Sequence, residues 1–227
     1  MLFGIFGFFP GIIWLFFFLQ EDARRPEPKR LIISTFFLGG LVTFLVLPLQ
    51  ILAKHLLLAG GVPDINPFHL FLLAIVEEVL KFAVVFLWVL RRKEFDEPID
   101  AMIYMVVVAL GFATVENIAT ALRATNGVEL LTLRFIGATL LHSLSSGIVG
   151  YYWARGIIAC KQGYYLGFGL VLAGIFHTIF NYLMVVWGPG VKVTSLLVML
   201  GFFVLYDFER LKNPGIVRGG GACERPF

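Results

Sequence analysis

Charge is scarce in this chain. Of its 227 residues only 15% are Asp, Glu, Lys or Arg, and the longest polar pieces, Lys54 to Pro67 and Glu209 to Phe227, are too short to bury a core of their own. That shortage excludes a separate soluble domain. Cysteine is scarce too: Cys160 and Cys223 are the only two. Both fall on the side read below as reducing cytoplasm, so a disulfide framework is not expected. Cys223 stands one place off a prenylation box and is read as inert. No basic region precedes the first apolar run and no small-residue cleavage site ends it, so it reads as a retained span. The net charge is +3, but the basic residues are spread over short loops, and nucleic acid is not an expected partner.

Apolar residues, by contrast, make up 59% of the chain, aromatics 15%, and mean hydropathy is +0.89. Seven apolar stretches can be marked off: Met1 to Leu19, Leu31 to Ala53, Phe68 to Leu90, Asp100 to Leu122, Phe135 to Ile158, Tyr164 to Trp187 and Val191 to Phe208. At about 20 residues per span these consume roughly 140 residues. The expected fold is all-α, a polytopic helical membrane protein of about seven spans. Residues 1–208 read as one transmembrane domain and 209–227 as a tail. Pro189 between Gly188 and Gly190 breaks the chain before the last span, and Asp100 is expected to cap the fourth.

The loop charges set the orientation. Thirteen Lys and Arg fall on one side: Arg24, Arg25, Lys29 and Arg30, then Arg91, Arg92 and Lys93, then Arg155 and Lys161, then Arg210, Lys212, Arg218 and Arg225. Lys54, Arg123, Arg134 and Lys192 fall on the other, and Lys81 lies inside a span. The positive-inside rule then expects an extracytoplasmic N-terminus and a cytoplasmic C-terminus in the cell membrane.

Six ionisable residues sit well inside the spans: Glu77, Glu78, Lys81, Glu116, His142 and His177. Each acidic or basic one costs about 2.5 to 3.5 kcal/mol at a helix centre, so something must offset them. Internal pairing is the plainest account, because Lys81 lies three residues from Glu78 and four from Glu77. One lysine cannot neutralise both. Taken singly, Glu116 could be a protonated hydrogen-bond donor and His142 a core histidine. His177 and Asn181 share a helix face. Counted from the expected outer face, Glu77, Glu78, His142, Glu116, His177 and Asn181 all fall about 9 to 15 Å deep at 1.5 Å per residue. A polar chamber built from four helices at one level can hydrolyse an amide. A glutamate takes the proton of water, a histidine or metal polarises the carbonyl, and an amide or imidazole donor holds the oxyanion.

These residues form an ordered set on successive spans: Glu77-Glu78-Val79-Leu80-Lys81, then Phe112 to Glu116-Asn117, then His142, then His177 to Asn181. The set resembles the PrsW family of intramembrane proteases. The likeness extends to Arg24–Arg30, to Phe95–Asp100 and to Leu110-Gly111-Phe112-Ala113. That family belongs with the type II CAAX prenyl endopeptidases and the APH subunit of γ-secretase. The resemblance implies a CAAX-endopeptidase-like helical core and an intramembrane endopeptidase acting on a membrane-anchored protein. In the family's namesake that is the first, extracytoplasmic-side cut of an anti-sigma factor. It makes Glu77 and Glu78 candidates for activating water and His142 and His177 candidates for metal ligation or oxyanion stabilisation. Glu116 and Asn181 complete the catalytic set, with Lys81 and Asn117 in support.

CAAX endopeptidases carry histidine where this chain has Glu116. A Zn²⁺ site of His142, His177 and Glu116, with another glutamate as base, has acceptable ligand types, but no HExxH spacing is present, and a metal-free glutamate mechanism stays open. Two other functions compete. A proton-coupled transporter needs a polar route to both faces, yet Phe82 to Leu90 holds no ionisable group. A noncatalytic scaffold of the APH type could dispense with the carboxylate pair, which this chain retains.

Overall fold

The computed structural model describes residues 7–22, 25–123 and 137–212. Arg24, Arg134, Arg218, Arg225 and Cys223, used above for sidedness and redox state, lie outside them. Among the described residues there are seven α-helices and no strand: α1 Phe8–Leu19, α2 Lys29–Ala59, α3 Pro67–Trp88, α4 Pro98–Arg123, α5 Ala138–Ile158, α6 Gln162–Trp187 and α7 Val191–Lys212. The protein is a helical membrane protein. Four helices, α2, α4, α6 and α7, are long and apolar enough by themselves to cross a membrane, and α1 is a shorter apolar helix. The other two, α3 and α5, are of similar length but carry Glu77, Glu78 and Lys81, or His142 with Ser143, Ser145 and Ser146. Their polar side chains turn into the bundle, where protein rather than lipid meets them.

Helix boundaries follow local chemistry. At α3, Pro67 follows Asn66, whose side chain accepts the Phe68 N–H at 2.9 Å. The expectation for Asp100 needs correction. Helix α4 starts two residues earlier, at Pro98, and Asp100 reaches back to accept the N–H groups of Asp96 and Glu97 at 2.8 and 2.7 Å. Pro98 fits the first turn because it has no N–H to satisfy there. Gly188, with φ +70°, ends α6 before Pro189. The expectation that Cys160 and Cys223 form no disulfide involves Cys223, which lies outside the described residues.

Helix α4 is the centre of the bundle, with α1, α2, α3, α5 and α7 packed around it and residues 101–114 buried. Its contact with α2 is backbone against backbone. A Cβ built on Gly111 would lie 1.9 Å from the Phe36 carbonyl oxygen, and one on Gly39 would lie 2.1 Å from that of Val108. Small residues let helices approach this closely where no hydrophobic effect drives them together. Gly111→Ala is therefore expected to destabilise the fold by about 3 kcal/mol or more, read as a lower unfolding temperature in detergent. Gly167→Ala, whose Cβ meets nothing within 4 Å, should not lower that temperature and so controls for the substitution itself. Equal midpoints for the two variants would contradict the packing.

The opposite sides of two sequence stretches meet at one end of the bundle. Arg25 pairs with Glu97 at 2.6 Å, and the buried Tyr104 donates to Glu27. The segment before α2 is thereby tied to the start of α4, which holds α2 and α4 in the register that the close approach requires.

Candidate active site

Helix α3 presents Glu77, Glu78 and Lys81 toward α5 and α6, all three buried. Spacings of three and four residues put both carboxylates on the face of the lysine. The Lys81 ammonium donates to Glu78 Oε1 at 2.8 Å and lies 3.5 Å from Glu77 Oε2. It also reaches His142 Nδ1 at 3.0 Å and sits 4.4 Å from the centre of the Phe112 ring. An ammonium has no lone pair, so Nδ1 of His142 must accept. Its Nε2 then carries the hydrogen and donates to Glu116 Oε2, 2.9 Å away. The imidazole is held from both edges, with Phe112 against it in an edge arrangement at 5.3 Å.

The two glutamates are held differently. Both oxygens of Glu78 are engaged, one by Lys81 and the other by the Ser146 hydroxyl at 2.7 Å. Glu77 Oε1 accepts from the Gln50 amide of α2 at 2.8 Å. Its Oε2 faces Lys81, His142 Nδ1 and His177 Nε2 at 3.5, 3.6 and 3.8 Å, all longer than an ordinary hydrogen bond. Glu77 therefore has one fixed oxygen and one with unused acceptor capacity. It is 7% exposed where Glu78 is 0%.

His177 stacks edge-on against His142 at 5.1 Å. Its Nδ1 is buried with no hydrogen-bond partner among the described residues, although Glu78 Oε1 lies 3.5 Å away. A buried ring nitrogen without a partner is costly unless something else comes to it. Glu77, Glu78, His142 and His177 each offer one ligand atom, all within 4.8 Å of one another. Two imidazoles and two carboxylates suit a zinc-like cation. One ammonium against two carboxylates also leaves this buried group negative, which favours a further cation. The donor set thus fits a metal, in competition with the Lys81 ammonium for the same acceptors.

The candidate residues from the sequence divide into three groups. Glu77, Glu78, Lys81, His142 and His177 converge. Glu116 bonds to His142 Nε2 and is not among the four gathered donors, which share His142 and His177 with the expected ligand set and have Glu77 and Glu78 in place of Glu116. Asn117 donates to Thr139 at 2.9 Å and ties α4 to α5. Asn181, one turn from His177, is half-buried and makes no hydrogen bond within the cluster. Sequence reasoning missed Ser146 and Gln50. Ser146 stands four residues after His142 on one helix face, a spacing that could have flagged it. Gln50 left only the weaker trace of an amide in an otherwise apolar stretch.

The chain resembles known proteins over most of its length. A family model described as PrsW family intramembrane metalloprotease matches residues 27–206. A protein named Protease PrsW from Geobacillus kaustophilus is 34% identical over 187 residues, covering 80% of each chain. One of the same name from Oceanobacillus iheyensis is 29% identical over 93% of this chain and 96% of its own. Another, from Bacillus subtilis, is 29% identical over 78% of this chain and 80% of its own. No solved structure matches the chain.

Proposed function

Because the chain belongs to the PrsW family and is an intramembrane protease, we propose that Glu77, Glu78, His142 and His177 are its peptidase centre and that Glu77 is the general base. The observation that carries this is the difference between the two glutamates. Glu78 has no acceptor atom left unengaged, whereas Glu77 keeps Oε2 open toward both histidines.

In this reading Glu77 Oε2 takes a proton from water as its oxygen bonds to the scissile carbonyl carbon. Glu77 then delivers that proton to the amide nitrogen as the C–N bond breaks, leaving a carboxylic acid and an amine, between which the remaining acidic proton passes to give carboxylate and ammonium. Lys81 holds Glu78 charged and in place, and Ser146 fixes its other oxygen. Glu116 orients the His142 ring from behind, as a carboxylate behind a ligating histidine does. His142, His177 and Glu78 are the residues proposed to hold a divalent metal, Zn²⁺ by ligand type. When bound, such a cation supplies a Lewis acid for the carbonyl and lowers the pKa of the attacking water.

The proposed substrate is a membrane-anchored protein cut near the extracytoplasmic side of the cell membrane, with anti-sigma factors the class to try first by family resemblance. The test uses proteoliposomes containing a single-span reporter labelled at both ends. Mass analysis of the fragments should place the cut in the half of the span nearer the α2–α3 turn. In cells, a topology reporter after Phe227 should report cytoplasm and one in the Pro63 to Pro67 segment the exterior. Cleavage in the opposite half, or inverted reporters, would contradict the sidedness.

A further inference from the structure

Helix α2 changes character at Pro48. Its buried residues, from Leu31 to Val46, all precede the proline, and residues 49–59 include none. Proline also removes one backbone hydrogen bond from the helix. Core packing therefore anchors the first part of α2, and the part beyond Pro48 is tied down by polar contacts. Lys54 pairs with Asp64 at 2.7 Å near the turn into α3. Deeper in, the half-buried Gln50 spreads its amide nitrogen over α3, 3.4 Å from the Leu73 carbonyl and 2.8 Å from Glu77 Oε1. Leu73 and Glu77 are one helical turn apart, so a single amide group bridges the backbone and the carboxylate on one face.

We infer that Gln50 is the positioning residue for Glu77, and this rests on the assignment of Glu77 as base. The terminal torsion of a glutamate is broad and roughly two-fold, so an untethered carboxylate can present either oxygen or turn toward a nearby ammonium. Lys81, 3.5 Å from Oε2, is such an ammonium. The bond from Gln50 fixes Oε1 on the α2 side and thereby keeps Oε2 directed at the histidine pair. Gln50 touches neither metal ligands nor substrate in this scheme, and its effect passes through Glu77.

The test measures kcat and KM for the single-span reporter in proteoliposomes, together with unfolding temperature, for wild type, Gln50→Leu, Gln50→Glu and Glu77→Gln. Leucine keeps the bulk at an apolar, half-buried position and removes only the donor, so a merely structural Gln50 would tolerate it. Loss of an orienting partner of this kind typically costs about 10- to 100-fold. Gln50→Leu should lose that much in kcat with KM and unfolding temperature unchanged. Gln50→Glu, which sets a second carboxylate against Glu77, should lose at least as much. Wild-type kcat in Gln50→Leu, or a defect confined to KM or to unfolding temperature, overturns the inference. Wild-type activity in Glu77→Gln overturns the assignment beneath it instead, and an inactive Glu77→Gln beside a fully active Gln50→Leu rejects Gln50 alone.

Discussion

Replacing Glu77 by Gln is expected to cut peptide-bond cleavage by about 10²- to 10⁴-fold, the usual contribution of a positioned general base, while the protein inserts and unfolds as wild type. The amide keeps the size of the carboxylate, and the polar contacts of Glu77 Oε2 are long, so little stability depends on its charge. Glu78→Gln should behave differently. Its carboxylate is wholly buried, accepts from Lys81 at 2.8 Å and from Ser146 at 2.7 Å, and its loss leaves an ammonium poorly matched in a buried site. Breaking such a pair costs about 3 to 5 kcal/mol, so Glu78→Gln should lose both activity and thermal stability. The pair of variants separates the roles: an active Glu77→Gln would remove the proposed base, and an unaltered unfolding temperature in Glu78→Gln would remove the proposed ion pair.

The second large effect concerns the histidines. His142→Ala and His177→Ala should each lose bound zinc and activity together, because a site of three protein ligands is weakened greatly by losing one. His177→Ala removes the ring whose Nδ1 has no partner among the described residues, so it should cost less folding stability than His142→Ala. His142 is bonded to Lys81 on one edge and Glu116 on the other, and its loss removes both of those bonds. Asn181→Ala should leave metal content unchanged, since Asn181 is not among the four gathered donors and an amide is not a usual zinc ligand. If both histidine variants keep their zinc while losing activity, the histidines act on water or the oxyanion rather than on a metal.

Much of this architecture was legible in the sequence because membrane spans announce themselves as long apolar runs, and lipid tolerates ionisable groups only with a reason. Depth gathers Glu77, Glu78, His142, Glu116, His177 and Asn181, since alternate helices run in opposite directions and depth can be counted along each, and Lys81 joins by its spacing from the two glutamates. Depth does not give azimuth. Which of the two glutamates keeps an oxygen with unused acceptor capacity depends on Ser146 and Gln50, 68 and 27 residues away in the chain, and no periodicity within α3 reports them. Glu116 illustrates the same limit: its level was right for the cluster, yet it meets His142 from the side away from the other carboxylates. The start of α4 at Pro98 rather than Asp100 was missed because an aspartate near a helix start can cap forward or reach back, and only the backbone decides between them.

The most direct test of the account measures zinc content and cleavage of the single-span reporter on one purified sample, before chelation, after it, and after zinc is restored. About one zinc per chain is expected, lost on chelation together with activity and regained with it, as befits a catalytic site with three protein ligands. A metal-free preparation that cleaves at the full rate and ignores the chelator would contradict it.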